Sequence, residues 1–158
     1  MRIGFALALF ALVACAPQPS KETYRDRARP ISSMAVIEPA QLDGTWAQVA
    51  GFGPGCGQPG ALTISAQGRQ ISGMGCDLPL RGEAAMVPSG PGRFQINGQE
   101  FWLIWADFDY RTLVFGTPSG AFGAILNRGG PIPSDRLEAA RRVLSFNGYD
   151  LGKLQLRQ

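Results

Sequence analysis

The chain has 158 residues, with 15 Lys and Arg against 12 Asp and Glu and a formal net charge of +3 at pH 7. This length suits one domain with its own hydrophobic core. So small a net charge gives no reason to expect nucleic acid binding. Histidine is absent, which removes the most frequent general base, metal ligand and pH switch. We therefore expect neither a metal ion nor a cofactor.

Residues 1–14 have the features of an export signal. Arg2 precedes an apolar run that is too short to cross a bilayer as a mature helix. The run ends in Leu12-Val13-Ala14-Cys15, which resembles the lipobox of bacterial lipoproteins. This resemblance implies that Cys15 receives a diacylglyceryl group and becomes the first residue after cleavage. A buried core helix with a chance cysteine is the alternative.

The acyl chains implied for Cys15 would anchor the protein stably, since each buried methylene contributes about 0.8 kcal/mol. Ala16 follows the cysteine, whereas the sorting pattern that this stretch resembles retains proteins at the inner membrane through an Asp at that position. We therefore expect a protein of the cell envelope, on the periplasmic face of the outer membrane rather than of the inner membrane.

Residues 16–33 are polar and rich in charge and proline, without apolar periodicity. This composition predicts that residues 15–40 form a flexible tether and that the folded domain is 41–158. A random coil of about two dozen residues spans only a few nanometres, at about 5–6 Å times the square root of its length. The charges of the tether indicate a solvated linker, with contact to lipid headgroups as the alternative.

Short apolar segments separated by Gly and Pro run from residue 42 to 128 and indicate an antiparallel all-β domain. Asn97-Gly98 is the clearest hairpin signal, and residues 88–92 also carry turn chemistry. We predict an eight-stranded up-and-down barrel with strands at 45–52, 61–65, 69–75, 80–87, 93–97, 100–106, 111–116 and 121–127.

One helix is predicted after the last strand, at about 134–146. Ser134 is a candidate N-cap, with Asp135 and Glu138 in the first turn, and Asn147-Gly148 ends the segment. Its apolar positions form one stripe, which we expect to pack on the outside of the barrel.

Three motifs resemble those of the lipocalin family. Gly44-Thr45-Trp46 looks like the Gly-x-Trp motif that opens the first lipocalin strand. The segment Asp107 to Tyr110 lies between strands six and seven, where lipocalins carry a Thr-Asp-Tyr-like turn. Arg128 ends strand eight, where the family has an arginine. The C-terminal part, including the segment 148–154, resembles bacterial lipocalins related to apolipoprotein D. The similarity is strong over 100–156 and 42–52 and thin over 53–99.

Strand order brings these motifs together. In an up-and-down barrel, odd strands start and even strands finish at the same end, so Gly44, Trp46, Asp107, Tyr110 and Arg128 are expected to meet there. The resemblance implies that this is the closed end and that Arg128 lies over the Trp46 ring, a cation–π contact of about 0.5 to 2 kcal/mol. Taken singly, a core tryptophan and a surface arginine are the plainer interpretations.

If Cys15 is lipidated, Cys56 and Cys76 are the two cysteines left with a thiol. In an oxidising periplasm such a pair predicts a disulfide, with two separate buried thiols as the alternative. Strand order places both residues at the open end of the barrel. A bridge there would stabilise the fold by roughly 3 kcal/mol and would hold one side of the mouth in place.

The interior of an eight-stranded barrel is either filled by side chains or holds one small ligand. Simple alternation from Trp46 would point Phe52 inward on strand one, and alternation from Arg128 would point Phe122 and Ala124 inward on strand eight. Ala124 is small where the bacterial relatives usually carry a tryptophan. The sequence does not decide which alternate residues of strand 100–106 point into the barrel. The short stretch between Trp46 and Asp107 predicts a shallow cavity. The candidate ligand-binding residues are Phe52, Phe94, Trp105, Phe115, Phe122 and Ala124.

The leading functional hypothesis is a membrane-tethered lipocalin that binds or carries a fatty acid, a lysophospholipid or a similar amphiphile. The alternative is a periplasmic inhibitor of a secreted metalloprotease. Such inhibitors resemble this chain in opening a short barrel with Gly-x-Trp and bridging two early cysteines, but they lack the helix and tail of residues 134–156. We do not expect an enzyme, because Asp107 and Asp109 suit turn capping better than acid–base chemistry.

Overall fold

A computed structural model describes residues 22–76, 80 and 82–157. The predicted export signal and Cys15 lie outside these residues. Two α-helices, a 3₁₀ turn (Leu151–Lys153) and ten strands make up the described fold. The helices are α1 (Pro39–Leu42) and α2 (Ser134–Phe146), and the strands are β1 (Gly44–Phe52), β2 (Ala61–Ser65), β3 (Gln70–Met74), β4 (Ala84–Ala85), β5 (Val87–Gly90), β6 (Arg93–Ile96), β7 (Gln99–Ala106), β8 (Thr112–Gly116), β9 (Gly123–Asn127) and β10 (Leu154–Leu156).

The strands form an antiparallel, nearly closed barrel. Their order is β4-β3-β2-β1-β9-β8-β7-β6-β5, and β10 pairs separately with the last residues of β1. The two strands at the ends of this path, β4 and β5, are consecutive in the chain, with only Met86 between them. The chain therefore closes the barrel covalently at the place where the hydrogen-bonded path ends.

The barrel path has nine strands rather than the predicted eight, and the difference lies in the segment 80–87. That segment is not one strand: β4 pairs with β3, and β5 pairs with β6. The assignment of residues 88–92 to a turn is also wrong in part, because Pro88 pairs with Phe94 and Gly90 pairs with Arg93. A register shift between Pro88 and Gly90 accommodates the proline, which cannot donate to a regular ladder.

A single cluster of buried side chains fills the barrel. Trp46 lies in it with an exposed fraction of 0%, and Phe101 packs edge-to-face on Phe122 with ring centroids 5.2 Å apart. The other large members come from most of the strands, from α1 and from the residue between β4 and β5, and they are Leu42, Leu62, Ile64, Ile71, Met86, Phe94, Ile96, Leu103, Leu113, Phe115 and Leu126.

A second apolar layer covers the outside of the wall. Helix α2 packs against β7 and β8 through Ala140 and Leu144, both of which are fully buried. The predicted range and packing face of this helix are confirmed. The predicted N-cap is wrong, since Pro133 occupies the N-cap position and Ser134 is the first helical residue. In the described part of the chain, no helix is long and apolar enough to span a bilayer.

Residues 22–34, here called the strap, run along the outer layer. Tyr24 and Arg25 are buried. Backbone hydrogen bonds join Tyr24 to Gly120 and Asp150 on one side, and Met34 to Leu103 further along. The prediction of a flexible tether up to residue 40 is therefore wrong for the strap. Its partners are remote in sequence, so its own polar composition does not indicate that it is ordered.

Candidate functional site

Arg128 and Trp46 form the centre of one end of the barrel. The Arg128 guanidinium carbon lies 4.4 Å from the centroid of the Trp46 ring. Its terminal nitrogens donate to the carbonyl oxygens of Asp43 (2.9 Å) and Gln41 (3.0 Å), and Trp46 Nε1 donates to the carbonyl oxygen of Leu42 (2.8 Å). Helix α1 is thereby held across this end of the barrel, which closes it.

Gly44 is required for this approach. Its φ is +135°, and a Cβ there would lie 3.3 Å from the Arg128 side chain. The Gly-x-Trp spacing therefore combines a backbone that passes under the guanidinium with a ring that stacks against it.

The turn 107–110 joins the same end. Asp107 Oδ1 accepts hydrogen bonds from the backbone N–H groups of Arg111 and Thr112, at 2.7 and 2.6 Å, and its other oxygen pairs with Arg136 of α2 at 3.2 Å. The Tyr110 hydroxyl accepts from the Glu38 N–H at 3.1 Å. Asp107 thus caps the turn, and Tyr110 contacts the chain next to α1. The five residues of the predicted closed-end motif do meet at one end.

The opposite end, which the strand order predicts to be the open end, carries the disulfide. Cys56, in the loop after β1, is bonded to Cys76, just after β3, with a Cα–Cα distance of 4.9 Å. This pairing confirms the prediction. Gln48 fastens the second half-cystine, because its Oε1 accepts from the Cys76 N–H at 3.0 Å. The β1–β2 loop at this end of the barrel is therefore tied to β1 and β3.

Among the described residues, a small apolar cavity of about 20 Å³ lies in the interior. A single water needs about 10–15 Å³ on such a measure, whereas ligand pockets usually span about 300–1,000 Å³. The cavity lies between the closed end and the disulfide end, and every residue around it is apolar. These residues are Leu62, Ile71, Met86, Ile96, Phe101, Phe115, Phe122 and Leu126.

Four of the six candidate ligand-binding residues face the interior. Phe94, Phe115, Phe122 and Ala124 belong to the buried cluster of the barrel, and Phe115 and Phe122 line the cavity itself.

The other two candidates, Phe52 and Trp105, belong to the outer layer instead, so their assignment to the interior is wrong. A register shift between Gln48 and Ala50 in β1, and another between Leu103 and Trp105 in β7, reverses the alternation along each strand. An extra residue in one strand turns every later side chain to the other face. The structure also shows which residues of strand 100–106 point into the barrel: Phe101 and Leu103 face inward and Trp105 faces outward.

Tyr149 is a structural residue that the sequence analysis does not single out. Its hydroxyl donates to the Phe122 carbonyl at 2.7 Å and accepts from the Thr117 N–H at 2.9 Å. Its ring packs on Phe52, with centroids 5.2 Å apart, and Phe52 stacks on Tyr24 of the strap. Burial raises the pKa of Tyr149 to about 12. This aromatic row joins the strap and the C-terminal tail to the wall beside the open end.

Arg25 of the strap is the second such residue. Its guanidinium donates to the carbonyl oxygens of Asn147, Pro118 and Arg29. It binds backbone of the end of α2 and of the β8–β9 loop at once, so a residue that composition places in a solvated linker is a buried structural cation.

No protein-family model matches this chain, and no curated protein matches it either. The resemblance to lipocalins therefore rests on the motifs and on the strand order.

Proposed function

We propose that this protein is a membrane-anchored, lipocalin-like binding module that takes up one small apolar or amphiphilic molecule in the cell envelope. The observation that carries the proposal is the interior cavity, which is lined only by apolar side chains and lies between a sealed end and a disulfide-tied mouth. Such a lining selects a hydrocarbon group, as in a fatty acid or a lysophospholipid, because it offers no polar partner to a charged guest.

The size of the cavity sets a condition on binding. At about 20 Å³, it has no room for an acyl chain until lining side chains move. Met86 is the most adaptable of them, because methionine is unbranched and has three rotatable bonds. Entry of a guest is therefore coupled to rearrangement of the interior, and slow association is expected.

The proposed anchor is the lipid on Cys15, with the outer membrane as the location. Support comes from the lipobox-like sequence 12–15 and from the disulfide, since disulfides persist in oxidising compartments such as the periplasm. Mass spectrometry of the N-terminal peptide tests the anchor directly. The expected peptide begins at Cys15 and carries acyl chains, and an unmodified peptide starting at Met1 would contradict the anchor.

Binding is tested by purifying the protein from a bacterial envelope, extracting it with organic solvent and analysing the extract for lipids. A titration with a fluorescent fatty acid measures the site, with Met86→Ala as the variant that enlarges the interior and Arg142→Ala as an exposed control. We expect tighter binding by Met86→Ala than by the wild type and an unchanged affinity for Arg142→Ala. Absence of both extracted lipid and titratable binding in the wild type and in Met86→Ala would overturn the binding function.

The small volume of the interior favours a second candidate, an inhibitor of a secreted metalloprotease, because such a protein acts through its surface and needs no cavity. The helix α2 and the tail after it are the features that separate this chain from inhibitors of that type. A protease inhibition assay decides between the two, since potent inhibition would replace the lipid-binding proposal.

A further inference from the structure

The first described residues of the strap lie at the end of the barrel that carries the disulfide. Thr23 donates its hydroxyl to the Ser119 carbonyl at 3.0 Å, and the Tyr24 N–H donates to the Gly120 carbonyl at 2.8 Å. Both partners lie in the β8–β9 loop, which belongs to the end of the barrel that carries the disulfide.

Glu22 stands beside the same end. It pairs with Lys153 at 3.4 Å, and it borders a surface depression that Gly53 and Pro54 of the β1–β2 loop also line. From there the strap runs along the outer wall to the closed end, where Ser33 donates to the Pro91 carbonyl. The direction of the chain is thus from the open end to the closed end, and whatever precedes Glu22 starts from the open end.

The distance from the proposed anchor is short. Glu22 follows Cys15 by seven residues, and an extended chain covers at most about 3.3–3.6 Å per residue, so Cys15 lies within roughly 25 Å of Glu22. The longest strand, β1, has 9 residues and spans roughly 30 Å at about 3.4 Å per residue. A chain from Glu22 to the closed end would use its whole length along the wall, with none left to place acyl chains in a bilayer.

The open end also presents apolar surface. Met74, the last residue of β3, is 77% exposed, and Leu156 of β10 is 41% exposed. Met74 borders a shallow groove together with Pro59, Leu80 and Arg157. The Arg157 guanidinium donates to the carbonyl oxygens of Gln58 and Gly60, so a positive charge sits next to these apolar side chains. Apolar groups beside a cation suit the headgroup region of a bilayer.

We infer that the open end of the barrel faces the bilayer, with Met74 and the groove beside it against the lipid surface and the Trp46–Arg128 end directed away from the membrane. The inference rests on the proposed lipid anchor at Cys15. In this orientation the anchor also positions the open end of the barrel close to the lipid surface. A guest then passes between the bilayer and the barrel without crossing bulk solution. Phe108, which is 98% exposed in the turn 107–110, lies at the far end.

The test uses the full-length lipoprotein in vesicles of phosphatidylcholine with a minority of phosphatidylglycerol and a rhodamine-labelled lipid as energy acceptor. A donor dye is attached at Ser119→Cys, in an open-end loop, or at Phe108→Cys, in the closed-end turn. Both positions are exposed, and the bridged cysteines do not react with the dye. Because barrel strands are tilted by about 35–45°, the two ends are roughly 20–25 Å apart, and we expect energy transfer to be about twofold more efficient from position 119 than from position 108.

Flotation of the same vesicles separates the inference from the proposal beneath it. If the lipoprotein floats with the vesicles, Cys15→Ser does not, and transfer from position 119 exceeds that from position 108, the orientation is supported. Equal transfer, or stronger transfer from position 108, overturns the orientation and leaves the anchor intact. Failure of the wild-type chain to float overturns the anchor itself. Unfolding curves of the two labelled variants check that each is folded.

Discussion

Arg128 lies over the ring of Trp46, with 4.4 Å between the guanidinium carbon and the ring centroid, and it bonds the backbone of α1 with the same group. One side chain thereby joins the end of β9, the start of β1 and the segment that covers the barrel. The contact thereby holds α1 over this end of the barrel.

Replacing Arg128 tests this contact. Arg128→Ala removes a cation–π contact and two hydrogen bonds to carbonyls, so we expect the free energy of unfolding to fall by about 2–3 kcal/mol. Arg128→Lys should lose less, because it keeps the charge. Denaturant titration followed by Trp fluorescence measures both. The control Arg142→Ala removes an exposed ion pair with Glu138, whose expected contribution is about 0.3–0.5 kcal/mol. Equal losses for Arg128→Ala and Arg142→Ala would contradict this role of Arg128.

Removing the disulfide is expected to lower the stability of the protein. The bridged residues are 20 apart in sequence, and closing a loop of that length in the unfolded chain contributes about 3 kcal/mol. The double variant Cys56→Ala, Cys76→Ala should unfold at correspondingly lower denaturant concentration, and a reducing agent should lower the stability of the wild type but not of the double variant. A reducing agent that shifts both proteins equally would contradict this account.

Replacing Met86 by alanine tests the effect of enlarging the cavity. The Met86 side chain is 1% exposed and lines the interior, so Met86→Ala should destabilise the protein by about 2–5 kcal/mol. The space created is apolar and should stay dry, as engineered cavities of this kind do. Xenon binding, followed by NMR shifts of the lining methyl groups, is expected in Met86→Ala and not in the wild type. Strong xenon binding by the wild type would show that the interior is already open.

Replacing Gly120 by alanine tests how firmly the strap is held against the barrel. The φ of Gly120 is +72°, and a Cβ there would lie 2.3 Å from Arg25 Cγ. Gly98 has a similar φ of +76° with nothing within 4 Å of a Cβ, which makes it a matched control. Gly98→Ala should cost only the backbone strain, about 1–2 kcal/mol, while Gly120→Ala should cost more and should make the strap sensitive to limited proteolysis. If the strap is cleaved equally in both variants, the packing at Gly120 does not hold it.

The raised pKa of Tyr149 leads us to expect that the free energy of unfolding depends on pH in the alkaline range. Its ordinary pKa of 10.0 is raised to about 12 in the folded protein, mainly by burial. Between these values the unfolded chain loses the phenolic proton and the folded chain keeps it, so stability should fall as pH rises through that window. The full difference corresponds to about 2–3 kcal/mol. The expected measurement is a decline in unfolding free energy above pH 10.0 that is steeper in the wild type than in Tyr149→Phe, where this group no longer titrates. Parallel declines in the two proteins would contradict a raised pKa.

The positions of most strands, the helix α2, the disulfide and the meeting of the closed-end residues follow from the sequence itself. Turn residues and apolar segments are local signals, and they recur at short spacing between residues 42 and 128. Once the strand order is known, counting strand ends places Trp46, Asp107 and Arg128 together and Cys56 with Cys76. None of these steps needs a contact between side chains.

Only the tertiary structure decided which aromatic residues face inward, how much space the described interior residues leave and that residues 22–34 pack on the barrel. The bulges in β1 and β7 move Phe52 and Trp105 to the outer layer, and uniformly apolar neighbours such as Leu103 and Ile104 do not signal such a bulge. The cavity of about 20 Å³ depends on how side chains from most of the strands interlock. The strap is ordered because Arg25 finds carbonyl oxygens of Asn147 and Pro118, and partners so distant in sequence become neighbours only when the barrel has closed.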